Sequence, residues 1–310
     1  MKPSDNSHLE IAALSHPGEV REINEDRYSV TFYTRESDSA PATLAIVADG
    51  IGGHQAGEVA AQIAVDQICN DIEKSSGGDP VADLSEAIIS AGQSISEASM
   101  RDEGLQGMGS TIATALVVGQ RLYTASVGDS RTYLIRAGEI RQISIDHTWV
   151  QEAIHHGILT PEEARSHPNA HVLHRHLGGD RDPIPDFRLR LSDDESDEAS
   201  EANQGMQLAP HDQVLLCSDG LTDLVEDHEI LKVLSQKSLE EAASALVDMA
   251  RARGGHDNIT LAIIEMPDVE TVVSRGRLLS GLLLTVAGIS LLVLVAIGLG
   301  ISYYLGFWPW

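Results

Sequence analysis

Four apolar runs in this chain each abut an aspartate, and that pattern narrows the possible folds more than any other feature. TLAIVADG runs into Asp49, RLYTASVGD into Asp129 and DQVLLCSDG into Asp219, while in GGHDNIT Asp257 stands just ahead of the run NITLAIIEM. Short apolar, β-branched runs bounded by Gly and Asp are predicted to be buried strands. NEDR adds Glu25 and Asp26 immediately before another strand pattern, RYSVTFY. In layered sheets, strand ends on one side collect at a common edge, so these acids can converge. Two carboxylates about 4 Å apart repel by roughly 4 kcal/mol at an effective dielectric of 20. A desolvated group of them needs cationic partners.

The rest of the pattern supplies the layers. Strands are predicted at residues 9–15, 27–33 and 43–49. A helix follows Gly57, with Ala61, Val65, Ile68 and Ile72 on one face, and a second is predicted over 83–100. Strands return at 110–119, 121–129 and 131–138, with GQ and AGE as tight-turn signals. From His147 to about Gly179 the chain reads as helical and loop-rich, and Thr160-Pro161-Glu162-Glu163 reads as a capped helix start. The acid- and Ser-rich insertion 192–206 reads as a solvated, mobile loop. Two helical patterns, 227–235 and 239–253, precede the final strand at 258–266. Strands, a helix pair, more strands, a second helix pair and a last strand make an α+β layered domain without regular βα alternation.

Composition removes several function classes. The 310-residue chain carries a formal net charge of -26, which argues against a nucleic-acid partner. Its two cysteines, Cys69 and Cys217, read as core thiols, and without a disulfide framework a reducing compartment fits. The opening MKPSDNSHLE is too polar for a secretory signal. Hard oxygen ligands without clustered His or Cys point to Mg²⁺ or Mn²⁺ over zinc. Gly50 and Gly220, beside Asp49 and Asp219, let backbone carbonyls or water approach such ions.

Near the other end, residues 278–299 hold no charged side chain and as a helix would span about 33 Å, the thickness of a bilayer core. Arg275 and Arg277 precede them and aromatic residues close the chain, so a tail anchor is predicted with the N-terminal part on the cytoplasmic side. The expected organisation is one large domain over 1–267, a juxtamembrane segment over 268–277, a transmembrane helix over 278–305 and a short aromatic tail over 306–310.

The motifs GEVREINEDR, VADGIGGHQAGE, GSTIATALV, SVGDSRTYLIRAGEI, DHTWVQEAI, VLLCSDGLTD and GGHDNIT stand in this order. Together they resemble the metal-dependent protein serine/threonine phosphatases of the type 2C class, in a bacterial form with a C-terminal anchor. The resemblance covers almost everything from His8 to Met266. It implies a four-layer α-β-β-α sandwich, two β-sheets packed together and flanked by helix pairs. By resemblance Asp49 bridges two Mn²⁺ or Mg²⁺ ions, Gly50 offers its carbonyl to one, and Asp219 and Asp257 complete the first ion's ligands. Asp129 with Asp219 matches the position of a third, weaker ion, and Glu25 that of an outer ligand acting through water. Asp26 either does the same or supports the loop.

Arg21 resembles the phosphate-holding arginine, and His54 the general acid for the leaving alkoxide, although an exposed loop histidine is the other reading. GILTPEEARSHPNA resembles the flap beside the active site. The implied function is hydrolysis of phosphoserine and phosphothreonine by a metal-activated water, on a monomer at the cell membrane. Phosphoproteins, a serine/threonine kinase among them, are the implied substrates.

Rival readings meet specific obstacles. A cysteine phosphatase needs an arginine six residues after its nucleophile, and Asp223 occupies that place after Cys217. A histidine-kinase-type ATP site needs glycine where Ile51 stands, and a dinucleotide loop needs it where Gln55 stands. An inactive scaffold of the same fold is opposed by the joint presence of Asp49, Asp219, Asp257 and Arg21.

Overall fold

Residues 44–48 alternate their side chains between two apolar environments, and that alternation builds the molecule's layers. In the computed structural model, which describes residues 1–52, 56–165, 167–179 and 183–268, Ala45 and Val47 face a second sheet while Leu44, Ile46 and Ala48 face helices. All five are fully buried. A strand buried on both faces reads as a continuous apolar run, which is why no polar alternation marks it.

The strands in chain order are β1 (Lys2–Pro3), β2 (Glu10–His16), β3 (Arg27–Thr34), β4 (Pro41–Ala48), β5 (Gly50–Ile51), β6 (Gly109–Ser110) and β7 (Ile112–Val118). They continue with β8 (Arg121–Val127), β9 (Arg131–Arg136), β10 (Glu139–Gln142), β11 (Met206–Gln207), β12 (Gln213–Cys217) and β13 (Ile259–Glu265). One sheet has the order β1-β3-β4-β7-β8-β11, the other β10-β9-β12-β13-β2, and β5 pairs with β6 in a small ribbon. Every pairing is antiparallel.

The helices are α1 (Ala56–Lys74), α2 (Pro80–Arg101), α3 (Trp149–His155), α4 (Pro161–Arg165), α5 (Asp197–Ala202), α6 (Asp219–Thr222), α7 (Asp227–Leu234) and α8 (Leu239–Ala252). Leu44, Ile46, Ile112 and Leu116 pack on Ile68, Ile72, Leu84 and Ile88 of α1 and α2. On the opposite side Leu215, Cys217, Leu261 and Ile263 pack on Ile230, Leu246 and Val247 of α7 and α8. Between the sheets lie Val47, Ala115, Val117, Leu134, Leu216 and Ile264. Each fully buried aliphatic side chain contributes about 1.5–3 kcal/mol, so three apolar layers hold the two sheets and two helix pairs together. The expected four-layer α-β-β-α sandwich is the fold observed over Met1–Met266, one compact unit.

Local signals behave as their chemistry requires. Asp79 caps α2 ahead of Pro80, and Ser238 with Glu241 forms a capping box on α8. Thr160 and Glu163 make the reciprocal bonds expected at the start of α4. The insertion departs from expectation. Its centre forms α5, capped by Ser196, held to the preceding segment by Asn203 donating to the Leu189 carbonyl (2.9 Å) and to β8 by Gln204 Oε1 accepting from the Thr124 N–H (2.9 Å). Acidic composition misled because most of the acids are exposed, while Ser200 is buried and Glu195 folds back onto Leu191 and Asn203. Cys217 is buried as expected, whereas Cys69 is half-buried. Among the described residues no helix is long and apolar enough to cross a membrane; the tail-anchor segment 278–305 lies outside them.

Candidate metal centre

Asp49 follows the last residue of β4, and the start of β7 stitches its turn in place. Its N–H donates to Thr111 Oγ1 (3.1 Å), and its carbonyl accepts from the Thr111 N–H (2.8 Å) and from Ser110 Oγ (3.0 Å). Thr111 Oγ1 also lies 2.7 Å from Ser130 Oγ, which links the Asp49 turn to the one carrying Asp129. On the facing sheet Ser218 holds Asp219 at the end of β12. The Ser218 hydroxyl donates to Asp26 Oδ2 (2.7 Å) and accepts from the Thr260 N–H (3.0 Å). Asn258 fastens the loop before β3 to the start of β13. Its amide nitrogen donates to the Pro17 and Ile23 carbonyls at 2.9 and 3.0 Å, and its oxygen accepts from the Glu25 N–H at 2.7 Å.

These attachments bring Glu25, Asp26, Asp49, Asp129, Asp219 and Asp257 to one edge of the sandwich. Burial, and then the charges of Asp26, Asp219, Asp129 and Asp257, push the Asp49 carboxyl well above the ordinary carboxylate range. Asp129 is raised by burial and by Asp219 and Asp146, against the pull of Arg131. Asp26, only 2% exposed, is raised chiefly by burial. Glu25 is raised by burial, with Arg21 opposing.

Glycines make the edge tight. A Cβ on Gly50 would lie 2.2 Å from the Gly57 carbonyl oxygen, and one on Gly220 would lie 2.0 Å from that of Asn258. Arg21 reaches the cluster from the loop ahead of β3, and its Nη2 donates to Asp257 Oδ2 at 2.6 Å. His54 lies outside the described residues.

Among the described residues, three enclosed carboxylate oxygens of this cluster, Glu25 Oε1, Asp26 Oδ1 and Asp219 Oδ1, have no hydrogen-bond donor; Asp83 Oδ2 on α2, outside the cluster, also has none. Buried acceptors of that kind are rare unless a cation or water meets them. The donor set is oxygen throughout, and burial, joined by neighbouring carboxylates, raises Asp49, Asp26, Asp129 and Glu25. Both features suit hard divalent ions such as Mn²⁺ or Mg²⁺.

Sequence reasoning undervalued Asp26, which is buried and bonded by Ser218 next to Asp219, did not single out Asn258, and placed His171 only near the end of the flap, without a role. The order Asp-Asn ahead of an apolar strand was the available signal for Asn258. For His171 there was none, because the flap's return path is set by tertiary contacts. Its Nδ1 lies 3.7 Å from carboxylate oxygens of both Asp219 and Asp223, and Asp219 foremost raises the imidazole to about 9. The ligand-type atoms of His171, Asp219 and Asp223 all fall within 4.8 Å of one another. The flap thus brings a cation to the outer side of the cluster.

Comparison with known proteins agrees with this geometry. Residues 18–153 match the family model of protein phosphatase 2C. The chain is 37% identical over 262 residues to the serine/threonine protein phosphatase PstP of Mycobacterium tuberculosis, covering 84% of this chain and 46% of that protein, so it spans about half of PstP. It is 33% identical over 269 residues to a putative protein phosphatase 2C-type protein of Streptococcus pyogenes, covering 84% of this chain and 100% of the relative. The crystal structure of the catalytic domain of PstP in complex with two manganese ions superposes with a TM-score of 0.67 at 34% identity, covering 84% of this chain and 99% of that one. The chain belongs to the protein phosphatase 2C family, the metal-dependent serine/threonine protein phosphatases.

Proposed function

We propose that this chain is a membrane-anchored, Mn²⁺- or Mg²⁺-dependent phosphoprotein phosphatase acting on phosphoserine and phosphothreonine. The observation that carries the reading is the set of donor-free carboxylate oxygens on Glu25, Asp26 and Asp219 within an enclosed acid cluster that Arg21 reaches. Asp49, the Gly50 carbonyl, Asp219 and Asp257 would hold two ions, with Glu25 acting through water and Asp129 with Asp219 available to a third. Bound there, such ions supply a water of lowered pKa and positive charge against the phosphoryl oxygens.

The chain's own groups do the remaining work. Arg21 offers a planar fork matched to two phosphate oxygens, held at the edge of the cluster by Asp257. His54 would donate the proton that the leaving alkoxide needs. Thr111, Ser218 and Asn258 fix the turns that carry the acids, so little reorganisation is needed during reaction. The flap that carries α4 and His171 limits which phosphoprotein segments enter.

The uncharged stretch 278–299 after Arg275 and Arg277 supports a single tail anchor with the catalytic domain facing the cytoplasm. A serine/threonine kinase is the proposed natural opponent, and a monomer the proposed working state. Hydrolysis of p-nitrophenyl phosphate and of a phosphothreonine peptide, with Mn²⁺ and then with EDTA, tests the activity. Turnover that requires the metal is expected. Its absence in a folded chain would leave an inactive scaffold as the better description.

A further inference from the structure

We propose that His147 is a positioning residue that fixes Asp129 in the acid cluster and ties that position to the base of the flap. His147 belongs to the motif DHTWVQEAI, and the metal chemistry leaves its role unassigned. The residue is 5% exposed, and its backbone and ring together clasp Gly128. Its backbone N–H donates to the Gly128 carbonyl at 2.9 Å, and its ring Nδ1 accepts from the Gly128 N–H at 2.9 Å. The ring proton therefore sits on Nε2, which lies 2.9 Å from Asp186 Oδ2.

Gly128 is the residue before Asp129, and it needs this clasp. Its φ of +104 is open only to glycine, and a Cβ there would lie 2.6 Å from Thr111 Cβ. Thr111 in turn carries the Asp49 turn. A shift of Gly128 would therefore displace Asp129 relative to Asp49.

Asp186 is anchored in its own right. Its backbone pairs with Ser126 in both directions, at 2.9 and 3.1 Å, and its carboxylate accepts from Arg188 Nε at 3.0 Å. Burial works against this carboxylate, yet the bonds from His147 and Arg188 keep its pKa below the usual range. The ring of His147 is thus gripped from behind, as an outer partner grips a metal-ligating histidine. Here the gripped ring steadies a backbone turn.

The same residue receives the flap. The His147 carbonyl accepts from the His174 N–H at 2.8 Å, Thr148 pairs with Leu173, and the Trp149 N–H donates to the Val172 carbonyl at 2.9 Å. His171, which reaches Asp219, is one residue away from Val172. Residues 172–174 after the flap and the Asp129 turn therefore share one junction, and a movement of the flap base is transmitted to Asp129 through His147.

The inference rests on the metal-dependent reading of the cluster. The full chain in detergent is titrated with Mn²⁺ by calorimetry, beside His147→Leu, which keeps volume without an acceptor, and His147→Asn, whose amide oxygen can take the place of Nδ1. Expected is a loss of about tenfold in affinity for the weakest-bound ion with leucine, and recovery of most of it with asparagine. A leucine variant that binds like the unaltered chain, or an asparagine variant as impaired as leucine, would overturn the role of His147. An unaltered chain that binds no Mn²⁺ would remove the metal reading itself.

A measurement on the unaltered chain serves should the leucine variant fail to fold. In ¹⁵N-labelled protein the His147 Nδ1 resonance and the Gly128 amide are expected to move together as Mg²⁺ fills the cluster. Resonances unmoved at saturating Mg²⁺ would overturn the coupling.

Discussion

Arg21 and Asp257, 236 positions apart in the chain, meet through a 2.6 Å bond between Nη2 and Oδ2 at the edge of the acid cluster. Both side chains keep solvent contact, 49% and 38% exposed, so the pair itself adds little stability. Its significance is positional. One carboxylate both faces the proposed ions and orients the arginine proposed to hold phosphate.

Replacing that arginine should therefore weaken substrate binding more than turnover. For Arg21→Ala we expect KM for a phosphothreonine peptide to rise about tenfold, the equivalent of about 1.4 kcal/mol, with a smaller change in kcat. Arg21→Lys should recover only part, because an ammonium cannot present a two-pronged donor. Steady-state kinetics with Mn²⁺ held constant decide it. An unchanged KM and kcat would remove Arg21 from the site.

In EDTA the acid cluster should make the fold less stable as pH rises. Asp49, Asp26 and Asp129 have raised pKa values in the folded chain, so between about pH 4 and their folded values the folded state binds more protons than the unfolded one. Stability is then largest near the low end of that window and declines through it. Expected is a higher Tm at pH 6 than at pH 8 in EDTA, with the difference reduced by Mn²⁺. Asp49→Asn should raise Tm in EDTA at pH 8 while abolishing metal-dependent turnover. A lowered Tm in that variant would show that the carboxylate is not held at a cost.

Gly50→Ala tests the tightness of the turn. Its Cβ would press on the Gly57 and Glu25 carbonyl oxygens at 2.2 and 2.7 Å, backbone atoms that cannot yield cheaply. We expect a destabilisation of about 1–3 kcal/mol by urea unfolding, together with weakened Mn²⁺ binding. Gly78→Ala, facing only Ser76 Oγ at 3.2 Å, should be nearly neutral by comparison.

The proposed anchor has a separate test. The full chain should sediment with membranes and resist carbonate extraction, whereas a chain ending at Pro267 should stay in the supernatant. A truncated chain still found in the pellet would contradict a single tail anchor.

Much of this was legible from the sequence because the decisive signals are local. Ile68 and Ile72 announce the inward face of α1, the apolar runs mark β4, β8, β12 and β13, and Asp49, Asp129 and Asp219 follow the first three while Asp257 stands just ahead of the last. Charge composition alone concealed the packing of the 192–206 insertion, since Ser200 and Asn203 hold it to the domain and Glu195 accepts from the Leu191 N–H and from Asn203. The burial of Asp26 was hidden because it depends on Ser218, 192 positions away. The pairing of His171 with Asp219 depends likewise on where the flap returns, which no periodicity encodes.

Crystals of the catalytic domain grown with Mn²⁺ and measured at the manganese absorption edge give the most direct test. Expected are two strong anomalous peaks enclosed by Asp49, the Gly50 carbonyl, Asp219 and Asp257, and a weaker one between Asp129 and Asp219. No anomalous peak among Asp49, Asp219 and Asp257 at saturating Mn²⁺ would contradict the proposed metal centre.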